Sequence, residues 1–320
     1  MIVTESKTIF SNYSEYAQSA NTLFHFMREE KYLLDALAQK ALIPRYCVED
    51  VKYLNIKRAD TIFEHIAVLQ KCFCDIPLSK LFERTKIQLT AWPKDLCGND
   101  RDYVIRKTSN GMTHLDCYGG FALAFSKMWG ERNRIQPIQY INSTSEEAAT
   151  YGAALSDVIL NGERYNDEVT EYFLNRICFM KPLRGGMKRN FELPERKTNI
   201  TVSINKNFHD ECEWRYVPSS EQLNGIMLEK IIAVPSIVTN DIKIRSINGS
   251  IAQRNYKRIW LDFEYDDIKY IIVPNPQSRL NVIRAIRATV MDGSSPEENT
   301  ATQDMLISKI LVINEVVGDL

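Results

Sequence analysis

The sequence predicts an α+β fold, in which strands and helices occur in separate runs. Short segments rich in β-branched and aromatic residues predict strands at residues 22–26, 68–76, 118–125 and 136–142. Apolar residues spaced three and four apart predict several helices. The two kinds of segment do not alternate regularly, and this arrangement is typical of α+β proteins rather than of parallel βαβ folds.

The predicted helices end at residues that favour helix termini. Residues 28–42 carry apolar side chains on one helical face, and Pro44 ends this helix. Residues 146–160 predict a second helix, which the pair Asn161–Gly162 terminates, and residues 167–176 predict a third.

The second half of the chain begins with a segment that we interpret as a loop. Residues 181–197 are rich in glycine, proline and basic side chains. A helical pattern follows much later, at residues 280–290. Strand patterns lie between them, at residues 199–204, 212–217, 260–263 and 269–273.

The domain organisation predicted from these patterns is simple, because no shift in composition divides the chain. We expect a polar N-terminal arm at residues 1–20, one main domain at residues 21–290, and a C-terminal tail at residues 291–320. Residues 292–302 look disordered, and the apolar stretch at 305–317 is expected to dock as a helix or a strand.

The composition excludes several classes of protein. The 320 residues include 40 basic and 41 acidic side chains, so any attraction to a polyanion must come from local clusters. The seven cysteines form no CxxC pair, and no metal site is predicted. No Walker loop, GxGxxG or HExxH motif is present. No stretch of 18 apolar residues occurs, and we expect a cytoplasmic protein without a membrane partner.

Two glutamates in the segment DECEWRY lie two positions apart. On a strand, Glu211, Glu213 and Arg215 project from the same face. Strands disfavour acidic residues, so the pattern needs an explanation. One interpretation is a surface ladder of salt bridges. The other is a carboxylate that stabilises positive charge developing on a sugar, as cleavage of a glycosidic bond requires.

His25 and Tyr118 are candidate ligand-binding residues on other predicted strands. His25 lies inside the apolar strand TLFHF, where the common role is that of a hydrogen-bonded core residue. Tyr118 precedes Gly119 and Gly120. Because glycine lets another group approach the backbone closely, the ring is placed to lie beside a ligand. A hydrophobic strand with a bulge is the alternative.

Taken in order, several segments resemble the AbiGi family of abortive-infection proteins. The resemblance covers roughly residues 20–290 and implies a role in phage defence, with a cognate antitoxin protein as partner. The segments are TLFHFM, LIPRYCVED, VLQKCFCDIPLS, YGGFALAFSKMWG, QPIQYIN, ECEWRYV and LDFEYDDIKYIIVPN.

More distantly, the order of His25, Tyr118 and Glu213 resembles the His–Tyr–Glu group of ADP-ribosyltransferases. This resemblance implies a split β-sheet with flanking helices and NAD as co-substrate. His25 would hydrogen-bond the ribose or carboxamide side of NAD, and Tyr118 would stack on the nicotinamide. Glu213 would bind the ribose 2′-hydroxyl and stabilise the oxocarbenium-like state. Glu211 would orient or deprotonate the acceptor.

Arg45 and Tyr46 complete the NAD site that this resemblance implies. Arg45 would face a phosphate of NAD, with a structural ion pair as the alternative. Tyr46 and Tyr151 are alternatives to Tyr118 as the stacking ring.

The basic segment at residues 181–197 suggests a nucleic acid as acceptor of ADP-ribose, with RNA favoured over DNA. Arg184, Lys188 and Arg189 are the expected phosphate contacts. A solvated loop is the alternative for this segment, and a protein acceptor is the alternative substrate. At the level of the whole protein, the alternatives are a non-catalytic antitoxin or sensor that binds a partner protein, and a metal-dependent nuclease.

Overall fold

A computed structural model of the protein describes residues 20–85, 87–91, 98–193, 198–289 and 295–316. The predicted N-terminal arm lies outside the described residues except for its last position, and so do parts of the predicted C-terminal tail. The chain combines several β-sheets with helices packed around them, which confirms the α+β class.

The helices and strands have the following bounds. The strands are β1 (Thr22–Met27), β2 (Ala41–Leu42), β3 (Arg45–Asp50), β4 (Lys57–Arg58), β5 (Thr61–Ile62), β6 (His65–Cys74), β7 (Gln88–Ala91), β8 (Phe121–Ser126), β9 (Gln136–Pro137), β10 (Gln139–Ile141), β11 (Met180–Pro182), β12 (Arg184–Leu193), β13 (Thr198–Asn207), β14 (Glu213–Tyr216), β15 (Ile231–Ile232), β16 (Leu261–Asp262), β17 (Ile268–Val273) and β18 (Ile310–Val312). The helices are α1 (Glu30–Gln39), α2 (Gly98–Ser109), α3 (His114–Tyr118), α4 (Lys127–Arg132), α5 (Glu146–Leu160), α6 (Asp167–Ile177), α7 (Ser220–Leu223), α8 (Pro235–Val238), α9 (Asp241–Ile251), α10 (Pro276–Ala288), α11 (Pro296–Ser308) and α12 (Ile313–Val316).

The largest sheet has the strand order β18-β17-β8-β1-β6-β14-β9. β6 is shared by two groups of strands. Its C-terminal part pairs with β1 and β14, and its N-terminal part pairs with β3 and β15. Between β1 and β6 the register is defined by one pair, Phe24 with Cys74. The sheet therefore opens on one side of β6, where β1 and β3 approach without pairing within the described residues.

The segment interpreted as a loop is mostly a strand. β12 pairs with β13 over ten residues, from Arg184 opposite Asn207 to Leu193 opposite Thr198. Met187, Phe191 and Leu193 alternate with exposed residues and pack into an apolar cluster with α2. Apolar residues at alternate positions are typical of a strand. The basic residues in the same segment obscured this alternation and led to the loop interpretation.

The predicted disordered tail is also ordered in part. Ser295 begins α11, where its side chain accepts a hydrogen bond from the backbone N–H of Glu298 in a capping box. β18 then pairs in parallel with β17 and extends the large sheet. The described part of the apolar stretch thus docks as the end of α11, the strand β18 and the short helix α12, so that both expected kinds of element occur in it.

Gly152 allows α5 to pack directly on the chain around Leu54. A Cβ atom at this position would lie 1.7 Å from the carbonyl oxygen of Leu54. Because that neighbour is backbone, it cannot move aside as a flexible side chain does. Gly249 in α9 differs, since a Cβ atom there meets no atom within 4 Å.

We expect Gly152→Ala to destabilise the protein by about 2 kcal/mol or more, because overpacking forces the backbone apart. Gly249→Ala is the matched control, and it should leave stability unchanged or raise it by up to about 1 kcal/mol through helix propensity. Urea unfolding followed by circular dichroism measures both. Equal midpoints for the two variants would contradict the close packing of α5.

Candidate functional site

A cavity of about 600 Å³ lies where the sheet opens between β1 and β3. Its wall includes His25 from β1, Arg45 from β3, Cys72 from β6 and Tyr118 from α3. Three of the four residues predicted to bind NAD therefore share one cavity. Its size falls within the range of small-molecule sites, about 300–1,000 Å³.

His25 is held in one orientation by the edge of β6. Its ring Nδ1 lies 2.9 Å from the carbonyl oxygen of Cys72. Because a carbonyl only accepts, Nδ1 carries the proton and donates, and Nε2 remains an acceptor. Burial, with the charge of Lys71 and to a lesser extent that of Arg45, lowers the pKa of His25 well below its usual range. The ring is therefore neutral at pH 7.

Basic side chains dominate the charge of the cavity. Arg28, Arg45 and Lys71 line it, together with the carboxylates of Glu29 and Asp35. Burial and the neighbouring charge of Arg45 lower the pKa of Lys71 to about 8. Burial is the larger cause and the charge of Arg45 the smaller, and a bound anion would offset both by favouring the charged lysine.

Tyr118 ends α3 rather than entering a strand as predicted. The next residue, Gly119, has φ +119°, and a Cβ atom on it would lie 2.1 Å from the carbonyl oxygen of Met27. Glycine thus permits the close approach that brings Tyr118 to the end of β1. The Tyr118 hydroxyl donates to the carboxylate of Glu211, and Lys206 Nζ donates to the hydroxyl at 2.5 Å.

The Tyr118 ring is surrounded by protein groups. Lys206 Nζ lies 4.1 Å and Arg189 Cζ 5.2 Å from the ring centroid. The His114 ring lies 4.5 Å away. Stacking of Tyr118 on a nicotinamide would have to displace one of these neighbours. Tyr32 also lines the cavity and offers a second ring.

A buried network of charges lies behind the wall formed by Cys72. Glu213 is 4% exposed, and its two oxygens contact different cations: Arg215 Nε at 2.5 Å and Lys181 Nζ at 2.9 Å. Although burial alone would raise it, these cations hold the pKa of Glu213 well below its usual range. The Cys72 thiol, which lines the cavity, also contributes to lowering the pKa of Glu213.

Arg215 connects this network to other elements. Its side chain is fully buried, and its guanidinium donates to Glu213, to Glu49 at 2.9 Å, and to the carbonyl of Cys178 at 2.8 Å. Glu49 also accepts a hydrogen bond from Gln70, at 2.6 Å. The predicted pairing of Glu213 and Arg215 on one face of a strand is present, but it is buried rather than exposed.

Glu211 lies outside β14, in the helical turn Phe208–Glu211. Cys212, with φ 42°, separates it from the strand, so the two glutamates are not consecutive residues of one strand face. Lys181 Nζ bridges them, at 2.8 Å from Glu211 and 2.9 Å from Glu213. Lys206 Nζ lies 3.4 Å from Glu211. Neither glutamate lines the cavity that holds His25.

A second cavity, of about 610 Å³, is lined by residues of the network. Glu49, Lys181, Lys188 and Phe208 are part of its wall. Two members of the ionic network therefore line this second cavity, whereas His25 lines the first.

Several predicted site residues lie elsewhere. Tyr46 is 3% exposed and donates to the carbonyl of Glu229, because the alternation of β3 turns it away from Arg45 into the core. Tyr151 likewise belongs to a core cluster. Neither ring lines the cavity, so neither fits the predicted contact with NAD.

The three basic residues predicted to contact nucleic acid lie on opposite faces of β12. Arg184 and Lys188 are on the exposed face, whereas Arg189 lies on the inner face and is 5% exposed. Arg189 therefore does not form the expected surface contact. Strand alternation, which the loop interpretation ignored, is the reason.

Lys181, Lys71 and Cys72 are site residues that the sequence analysis missed. Lys71 is a lysine within an otherwise apolar strand, and this is a signal that sequence reasoning could have used. No such signal marks Lys181, since its partners lie about thirty residues away in sequence. In the described part of the chain, no group of three or more His, Cys, Asp or Glu residues is arranged to hold a metal ion.

Comparison with known proteins gives two findings. The family described as "Putative abortive phage resistance protein AbiGi, antitoxin" matches residues 106–274. A curated protein of Lactococcus lactis subsp. cremoris, "Abortive phage resistance protein AbiGi", is 32% identical over 288 residues, which cover 87% of this chain and 99% of that protein. No solved structure matches the chain, so the likeness to an ADP-ribosyltransferase fold stays a prediction.

We expect Glu213→Gln to lower the free energy of unfolding by about 3 kcal/mol, because it removes the buried carboxylate that Arg215 and Lys181 share and leaves them only Glu49 and Glu211 as partner charges. Glu315→Gln is the control. Its partner Arg279 is partly exposed, and such pairs contribute about 0–1 kcal/mol. Urea titrations at several pH values measure both effects.

The pH dependence of the same experiment has a defined sign. Since the folded-state pKa of Glu213 is depressed, its contribution is complete above the unfolded pKa of about 4.3 and disappears as the pH falls through the folded value. The difference between wild type and Glu213→Gln should therefore be constant near neutral pH and shrink in acid. A difference that grows in acid would contradict the ion pairing.

Proposed function

This chain belongs to the AbiGi family of abortive phage resistance proteins, and we propose that it acts in phage defence by binding NAD in the cavity between β1 and β3. The observation that carries the proposal is the convergence of His25, Arg45 and Tyr118, far apart in sequence, on that cavity. They bring a neutral acceptor nitrogen, a guanidinium and an aromatic ring to one place.

The chemistry of the wall supports a dinucleotide as ligand. The diphosphate of NAD requires cations, and Arg28, Arg45 and Lys71 supply them. The carboxamide N–H₂ requires an acceptor, and Nε2 of His25 is one. Tyr32 provides a ring on which a base can stack, although the Arg45 guanidinium lies 5.2 Å from its centroid.

We further propose that bound NAD serves in transfer of ADP-ribose to a nucleic acid, with RNA favoured over DNA. In this reaction the bond between nicotinamide and ribose C1′ breaks, nicotinamide leaves with the electron pair, and an acceptor nucleophile forms the new bond to C1′ and loses its proton. Glu213 would stabilise the oxocarbenium-like state and Glu211 would take the proton. Because Glu213 is paired with Lys181 and Arg215 and does not line the cavity, this step requires the carboxylate to become accessible from the cavity and to exchange one of these contacts for the ribose.

The second cavity, whose wall includes Glu49 and Lys181 of the network, supports an approach of the acceptor. Lys188 and Lys181 line it, and Arg184 is exposed on the same strand as Lys188. These cations can contact the phosphates of a nucleic acid.

The family description favours a second candidate function, a non-catalytic antitoxin that binds a partner protein. The pairing of both glutamates supports it, because a site whose carboxylates are already neutralised can hold a ligand without acting on it. NAD would then be a regulatory ligand rather than a substrate.

For NAD binding, we expect wild-type protein to give a saturable signal in isothermal titration calorimetry. His25→Phe and Arg45→Met should each weaken affinity by about tenfold or more, since each removes a polar contact to the ligand. Arg58→Met is the control, because Arg58 is exposed on β4 and does not line the cavity. Absence of NAD binding to wild type would refute the proposal.

For transfer, we expect wild-type protein to release nicotinamide from labelled NAD and to label RNA more than DNA or protein. Glu213→Gln should release none, because it lacks the charge that matches the oxocarbenium-like state. The assay is run at a temperature at which circular dichroism shows the variant folded, and Glu315→Gln should retain activity. Wild type that binds NAD without releasing nicotinamide would instead support the non-catalytic antitoxin.

A further inference from the structure

Arg189 is a buried cation in an apolar setting. It lies on the inner face of β12, between Met187 and Phe191, and it is 5% exposed. Its Nε has no hydrogen-bond partner among the described residues. Burying an arginine without a counter-charge is costly, so the position requires a reason other than stability.

The neighbours of Arg189 increase the positive charge. Its guanidinium lies against the Tyr118 ring, which Lys206 also contacts. Burial, and to a lesser extent the charge of Arg189, lowers the pKa of Arg28. Arg28 is close to Tyr118 because the next residue, Gly119, packs against the Arg28 backbone. A Cβ atom built on Gly119 would lie 2.7 Å from the Arg28 Cα.

The balance of buried charge identifies Arg189 as the surplus cation. Four cations of low exposure lie in or beside the network: Lys181, Arg189, Lys206 and Arg215. They face three carboxylates, those of Glu49, Glu211 and Glu213. The other three cations are paired with these carboxylates, whereas no salt bridge joins Arg189 to a carboxylate within the described ranges.

We infer that Arg189, with Arg28 and Lys206, forms a subsite for a phosphate group of the ligand held in the cavity between β1 and β3. Arg28 and Tyr118 line that cavity, so the Arg189 guanidinium lies immediately behind its wall. A phosphate oxygen bound there supplies the missing counter-charge and accepts from a rigid fork of N–H donors. The inference rests on the proposed function, since it assigns a part of the same site.

The test compares Arg189→Met with Arg58→Met, which removes an exposed arginine of β4 that lines neither of the two cavities described above. Each protein is titrated at low salt with three probes: NAD, inorganic pyrophosphate, and nicotinamide riboside, which lacks phosphate. Thermal unfolding is measured with and without pyrophosphate. Pyrophosphate separates a free-phosphate site from a dinucleotide site, and the riboside reports the remainder of the cavity.

We expect Arg189→Met to lower the affinity for NAD by about tenfold or more and to abolish the stabilisation by pyrophosphate, while the affinity for nicotinamide riboside stays unchanged. Without ligand, Arg189→Met should unfold at the same or a higher temperature than wild type, because it removes an unpaired buried charge. Arg58→Met should match wild type in all arms.

The results that would overturn the subsite, the proposed function or both can be told apart. Unchanged NAD and pyrophosphate binding in Arg189→Met overturns the subsite while leaving NAD binding intact. A lower unfolding temperature without ligand, combined with equal loss of all three probes, assigns Arg189 a structural role and also overturns it. Wild type that binds pyrophosphate but not NAD supports the subsite and refutes the proposed function. Wild type that binds neither refutes both.

Discussion

The burial of the Arg215 guanidinium is the constraint on which the rest of the site depends. Its side chain is fully buried, and its donors reach the carboxylates of Glu213 and Glu49 and the carbonyl of Cys178. Those partners come from β14, β3 and the turn after α6. An unpaired guanidinium in this position would cost several kcal/mol, so these segments are fixed around it. The opening of the sheet between β1 and β3 is thus bounded on one side by an ionic network and not by adaptable apolar packing.

Because of the same network, NAD binding and ADP-ribose transfer depend on different contacts. A carboxylate that contacts both Arg215 and Lys181 already has its charge compensated, so it stabilises a cationic sugar less than a free carboxylate would. Binding of NAD needs no change in these pairs, whereas transfer of ADP-ribose does. NAD binding and ADP-ribose transfer are therefore independent properties. The arrangement is compatible with a regulated enzyme and equally with an antitoxin that binds a ligand without transforming it. What decides between them is whether Lys181 is released from Glu213 when the cavity is occupied.

Sequence reasoning predicted the parts of the site that depend on local pattern. The strand of His25 and the pairing of Glu213 with Arg215 follow from alternation, which places residues two apart on one face. Long-range partners could not be predicted, because nothing near Lys181 indicates that it will bridge two glutamates thirty residues later. The error at Arg189 has a different origin. Basic residues between the apolar positions of β12 favoured a loop, and only the pairing with β13 shows which side chains face inward.

The distribution of charge also indicates which kind of ligand the molecule can hold. The carboxylates of the network are each paired with a cation, so a cationic ligand would find no free counter-charge there. Lys71, by contrast, lies in an apolar strand beside Arg45, and burial together with that charge lowers its pKa to about 8. An anion in the cavity would favour the charged form of Lys71 and so offset this lowering. The neutral ring of His25 adds an acceptor without adding charge. Cations in the cavity wall and compensated acids behind it thus favour a phosphate-bearing ligand, whether the protein transforms it or only binds it.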